Sequence, residues 1–147
     1  MNADERGFDS LTEEVLSAVF EVSNTLGAGF LEKVYERALL IELGIRGIRA
    51  NAQASLVVSY KARAVGEYFA DILVEDTLVI ELKCVDRLAN EHMAQCLNYL
   101  RAAGRGVCLL VNFQLPKVEY RWILYDQCFA MSSSNPKITT GISAIAT

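Results

Sequence analysis

Three charged residues, Asp71, Glu81 and Lys83, interrupt the apolar stretch ADILVEDTLVIELKCVD at residues 70 to 86. The stretch reads as two strands joined by a tight turn. With Glu75, Asp76 and Thr77 as the turn, Val74 pairs with Leu78, and counting outwards sets Asp71 opposite Glu81. Side chains alternate faces along a strand, so Glu81 and Lys83 share a face and all three charges project from one side. The other face carries Ala70, Ile72, Val74, Leu78, Ile80, Leu82 and Cys84, which is a core face.

Opposed residues of an antiparallel pair have Cβ atoms roughly 4.5–5.5 Å apart. Two carboxylates there repel unless a cation or a shared proton lies between them. Hard oxygen donors of this kind suit Mg²⁺ or Mn²⁺. Lys83 would then orient an attacking water and screen developing charge. The plainer alternative is a sheet with one solvated face, on which two acids and a lysine sit in water. The D-x₉-E-x-K spacing alone does not decide between them, and the register requires an unbulged hairpin.

The elements that must position these residues follow from periodicity. Leu11, Val15, Val19, Val22 and Leu26 form one helical stripe, with Ser10 and Glu13 as a capping box. A second helix, FLEKVYERALLIELGI, is expected to bury Phe30, Leu31, Val34, Ala38, Leu39 and Ile41, and to end at Gly44 and Gly47. Strand-type alternation runs from Arg49 to Tyr60, and strands around 65–74 and 78–84 follow. ANEHMAQCLNYLRAAG is a third helix, and GVCLLVNF and VEYRWILY are two further strands. The order α-α-β-β-β-α-β-β predicts a central mixed sheet flanked by helices, one α/β domain over 1–126. Residues 127–147, small, polar and aperiodic, read as a flexible tail.

Composition narrows the partners. A net charge of −4 supplies no obvious basic face for an autonomous nucleic-acid binder, so such binding would be weak, metal-assisted or helped by another protein. Cysteines 84, 96, 108 and 128 are too scattered for a zinc or redox motif and read as reduced, small hydrophobes. The apolar runs are too short to span a bilayer, and MNADERGFDS lacks the features of a secretory signal. The cytoplasm is the expected location, and no membrane partner is expected.

Two further motifs complete the pattern: Gly29-x-x-Glu32-x-x-Tyr35 in GFLEKVY, and Gln95-x-x-x-Tyr99 in QCLNY. With Asp71 and Glu81-x-Lys83 they resemble the bacterial and archaeal family named for its G-x-x-E-x-x-Y motif, placed within the PD-(D/E)XK nuclease superfamily. The resemblance covers roughly residues 10 to 125. It implies a restriction-endonuclease-like core and a metal-dependent nuclease acting on DNA or RNA. Asp71, Glu81 and the Leu82 carbonyl would bind Mg²⁺ or Mn²⁺, with Glu32 near or on the metal. Lys83 would position the water, and Gln95 would hold the lysine, the water or a phosphate. Tyr99, Tyr35 and His92 would bind substrate or support the site. Ala70 stands where the superfamily has proline, and the cysteines do not match the arrangement of cluster-bearing relatives. The rival reading is a non-catalytic binding or dimerisation module that keeps the fold. An enzyme acting on nucleotides is a third. A homodimer is among the partners considered.

Overall fold

The computed structural model of the chain describes residues 3–103, 105–126 and 138–142. Its elements are α1 (Ala3–Leu26), α2 (Glu32–Ile45), β1 (Ala50–Tyr60), β2 (Arg63–Val74), β3 (Leu78–Lys83), α3 (Asn90–Ala103), β4 (Arg105–Asn112), β5 (Glu119–Asp126) and β6 (Ile138–Ile142). The six strands form one sheet in sequence order. Only β3 and β4 run parallel, because α3 carries the chain back between them; every other neighbouring pair is antiparallel.

The sheet is covered on both faces. Ile72, Val74, Leu78, Ile80, Leu82, Leu109 and Val111 meet Val15, Ala18, Val19 and Val22 of α1 and Tyr35, Leu39 and Leu43 of α2. On the other face Cys108, Leu110 and Ile123 meet Cys96 and Leu100 of α3. Cys84, Cys96 and Cys108 are free thiols, the latter two buried. Cys128 lies outside the described residues.

The β2–β3 hairpin has the expected register: Val74 pairs with Leu78, Leu73 with Val79 and Ile72 with Ile80. Its turn holds Glu75 and Asp76 at φ +50° and +57°, the left-handed conformation a tight hairpin requires. Arg49 clamps the turn. Its guanidinium lies 2.9 Å from Asp76, its amide donates to Glu75 Oε1 at 2.9 Å, and its carbonyl accepts the Glu75 amide at 2.9 Å.

Three expectations are corrected. Helix α1 begins at Ala3, so Ser10 lies inside the helix and does not cap it. Helix α2 buries Tyr35, Glu36, Leu39 and Leu43, while Phe30, Leu31, Val34 and Ile41 are exposed; the helix carries two apolar stripes, and periodicity does not say which one meets the sheet. The segment 138–142, read as part of a loose tail, is the edge strand β6 paired with β5. The rest of that tail reading falls on 127–137 and 143–147, outside the described residues.

The β1–β2 turn uses Lys61 and Ala62 at φ +48° and +65°. A left-handed conformation strains a residue with a Cβ by about 1–2 kcal/mol. Ala62→Gly is therefore expected to stabilise the fold by about 1 kcal/mol in urea unfolding. An unchanged or lower midpoint would show that this turn is relaxed.

Candidate active site

Asp71 sits where β2 loses its partners on both sides. Towards β3 the ladder stops at Ile72 and Ile80. Towards β1, Ala52 pairs with Ile72 and Ala54 with Ala70, but Gln53, which the register sets opposite Asp71, is left out. Gln53 has φ +54° in mid-strand, a strained conformation of the kind that clusters at functional sites. Side chains take over from the ladder. The Leu82 amide donates to Asp71 Oδ2 at 2.8 Å, and the Asp71 amide donates to Glu81 Oε1 at 3.3 Å. The two carboxylates are thereby fastened beside one another, Asp71 half-buried and Glu81 4 % exposed.

Their ionisation is unfavourable there. Burial, and then the neighbouring Asp71, push the Glu81 carboxyl up to about 8. Burial likewise raises Asp71, opposed by the Leu82 amide and Lys83 and reinforced by the charge of Glu36. Near neutral pH the pair therefore retains a proton, the state in which a cation could take the proton's place.

Lys83 leaves the same strand one turn of the pleat later, and its Nζ donates to Gln95 Oε1 of α3 at 3.4 Å. Tyr99, one helical turn beyond Gln95, is buried and donates its O–H to the Phe69 carbonyl at 2.5 Å. This pins β2 two residues before Asp71. Burial, with Glu81 and Asp71 next, raises the Tyr99 phenol and keeps it a donor. The structure thus gathers Asp71, Glu81, Leu82, Lys83, Gln95 and Tyr99.

Among the described residues no hydrogen bond or ion pair joins Glu32, Tyr35 or His92 to the two carboxylates. Glu32 is exposed at the start of α2, where its charge reaches Cys84 and raises that thiol after burial does. Tyr35 is fully buried. It donates to the Gly27 carbonyl at 2.6 Å, accepts the Phe30 amide at 3.3 Å and stacks on Phe113 at 4.6 Å. It latches the α1–α2 loop to the core. His92 accepts the Ala89 amide on Nδ1 at 2.9 Å, while its own amide donates to the Ala89 carbonyl at 3.0 Å. That pair shapes the first turn of α3.

Sequence reasoning missed two groups. Glu36, one turn beyond Glu32, is the buried carboxylate of α2, and its charge reaches Asp71. It is held by Lys33 at 3.2 Å and by the Gln53 amide at 3.3 Å. Its signal was its position on the Tyr35–Leu39–Leu43 side of the helix, visible only once that stripe is known to be the inner one. The second group is Asn112 with Glu119, both buried. Asn112 accepts the Val85 amide at 3.1 Å and donates to the Val85 carbonyl at 2.8 Å and to Glu119 at 3.2 Å. Glu119 also accepts the Leu88 amide at 2.8 Å. Together they set the path of the segment between Lys83 and α3.

The donor set can be tested for a cation. Asp71 and Glu81 offer oxygen only, each engages one oxygen with an amide, and both hold protons too tightly for their type. That chemistry fits a hard divalent ion that keeps several waters. Among the described residues, no group of three His, Cys, Asp or Glu side chains is gathered closely enough to hold a metal. A site here would rest on the two carboxylates, a backbone carbonyl and water or phosphate oxygens.

A mixed sheet flanked by helices, with an aspartate on one strand, an E-x-K on the next and a glutamine helix against the lysine, defines a restriction-endonuclease-like fold. A family model for the PD-(D/E)XK nuclease superfamily matches residues 9–123. The chain belongs to that superfamily. No curated protein and no solved structure matches it. Among the described residues no helix is long and apolar enough to cross a membrane.

The raised Glu81 carboxyl has a consequence for stability. Its acidity is 4.5 unperturbed and about 8 in the fold, so the folded state binds the proton more tightly than the unfolded chain. Stability in chelator is expected to fall as pH rises from about 5 to 8 and to level off above, by several kcal/mol at roughly 1.4 kcal/mol per unit. Glu81→Gln should flatten that decline. A parent whose thermal midpoint is constant across this window would contradict the assignment.

Proposed function

We propose that this chain is a divalent-metal-dependent phosphodiesterase that hydrolyses DNA or RNA in the cytoplasm, and that within its superfamily it belongs to the G-x-x-E-x-x-Y group. The observation that carries this reading is the placement of Asp71 at a gap in both ladders. There its carboxylate and that of Glu81 face each other, with Lys83 alongside.

Asp71, Glu81 and the Leu82 carbonyl are the groups that would hold Mg²⁺ or Mn²⁺. Glu36 takes the supporting part expected of Glu32, since it is the helix α2 carboxylate whose charge Asp71 senses. When bound, the ion supplies neutralisation of the charge that builds on the phosphate. Lys83 donates to the attacking water and screens the phosphate oxygens, and Gln95 keeps the ammonium pointed at that water. Tyr99 acts through the backbone: by holding the Phe69 carbonyl it keeps Asp71 in place for in-line attack.

The gathering of two rather than three acidic donors among the described residues favours the rival reading, a binding module that keeps the fold. Cleavage assays on single-stranded DNA, duplex DNA and RNA with Mg²⁺ or Mn²⁺ separate the two. Lys83→Ala should lower turnover by at least about 100-fold with an unchanged thermal midpoint. Glu36→Gln should lower it about tenfold and Glu32→Gln should leave it near the parent. A parent that cleaves none of the substrates supports the binding module. Equal losses at Glu32 and Glu36 would overturn the part given to Glu36.

A further inference from the structure

Helix α2 turns Tyr35, Leu39 and Leu43 to the sheet, and a second apolar stripe runs along its outer side. Val34, Ala38, Ile41 and Ile45 on the helix, with Leu31 at its N-cap, succeed one another at spacings of three, four, three and four. That is the a/d pattern of a coiled-coil seam over two heptads. Leu31 is 78 %, Val34 37 %, Ile41 65 % and Ile45 73 % exposed. No charged or polar residue interrupts the stripe. Four large aliphatic side chains kept in water along one helix edge lower stability unless something covers them.

We propose that this seam is where two copies of the chain associate, helix α2 packing in parallel along the same helix of a second copy. The flanking charges select the occupant and the direction. In heptad terms Arg37 falls at a g position and Glu42 at the following e position. In a parallel pair each g residue faces the partner's e residue five positions on, which sets Arg37 against Glu42 across the seam twice. In an antiparallel pair like flanks face each other, and Arg37 would meet its own copy. Arg37 is exposed and has no ion pair among the described residues. Glu42 already accepts from Arg46 at 2.8 Å, and Arg46 reaches Glu14 at 3.0 Å. An arriving Arg37 would extend an existing charge network. Ala38, midway along the seam, is partly buried against the chain's own core, and its small side chain puts no bulk between the two helices.

The stripe has none of the cations that a nucleic-acid strand would demand. A helix of 14 residues is about 21 Å long. Paired along two heptads it falls in the weak, transient size class below about 1,200 Å². The dimer is therefore concentration-dependent. A two-fold axis along parallel helices sets both Asp71–Glu81 pairs at the same height. This inference stands independently of the nuclease reading.

Sedimentation velocity over a concentration series tests it on the full chain. The parent should pass from monomer to dimer, and Ile41→Glu/Ile45→Glu should remain monomeric with a thermal midpoint near the parent's, since both positions are exposed. Arg37→Glu should weaken the dimer about tenfold, and Arg37→Glu/Glu42→Arg should recover most of that loss. A parent that stays monomeric up to roughly 1 mM, or a double-glutamate variant that dimerises as well as the parent, overturns the seam. A charge swap that restores nothing overturns the parallel direction.

Discussion

The molecule depends on two hydrogen bonds at the point where β2 and β3 part. The Leu82 amide on Asp71 and the Asp71 amide on Glu81 hold two carboxylates side by side, Asp71 half-buried and Glu81 buried. Each bond satisfies an amide that the interrupted ladder would otherwise leave unpaired. Each also commits an acid to a place where ionisation is disfavoured. The fold therefore carries a local cost, a pair of acids that hold a proton near neutral pH. A fold selected for stability alone would have continued the ladder with apolar residues.

Much of the remaining architecture serves to keep that arrangement in register. Arg49 closes the turn at Glu75 and Asp76, so the hairpin cannot slip by a residue and turn its acids to the opposite face. Tyr99 ties α3 to the strand just before Asp71, and Gln95 from the same helix meets Lys83. Asn112 and Glu119 fasten the segment between β3 and α3, which fixes the distance between the strand that carries the lysine and the helix that meets it. On the opposite layer Tyr35 locks the α1–α2 loop, and helix α2 brings Glu36 to the Gln53 side chain of β1. Both helical layers thus converge on one gap in the sheet.

The hairpin was legible in sequence because its turn length and its strict alternation agree on one register. Both signals are local, and Asp71, Glu81 and Lys83 followed from them. The inner face of α2 was not legible. Its two apolar stripes are equally periodic, and only the sheet beneath decides that Tyr35, Leu39 and Leu43 turn inward. That ambiguity hid Glu36. Gln53 was hidden for another reason: a left-handed residue in mid-strand has no marker when it is not glycine. Strand β6 was missed because ITTGI is short and sits among small polar residues, and its pairing with β5 is a long-range contact. Asn112 looked like the polar end of a buried strand, and its Val85 partner lies 27 residues back along the chain.

Calorimetric titration of Mg²⁺ and Mn²⁺ into the parent and into Asp71→Ala/Glu81→Ala, each at two pH values, tests the central claim most directly. The account predicts binding by the parent that releases protons and tightens as pH rises towards 8, and none by the double variant. Binding of equal strength in both proteins, or parent binding without proton release, would contradict it.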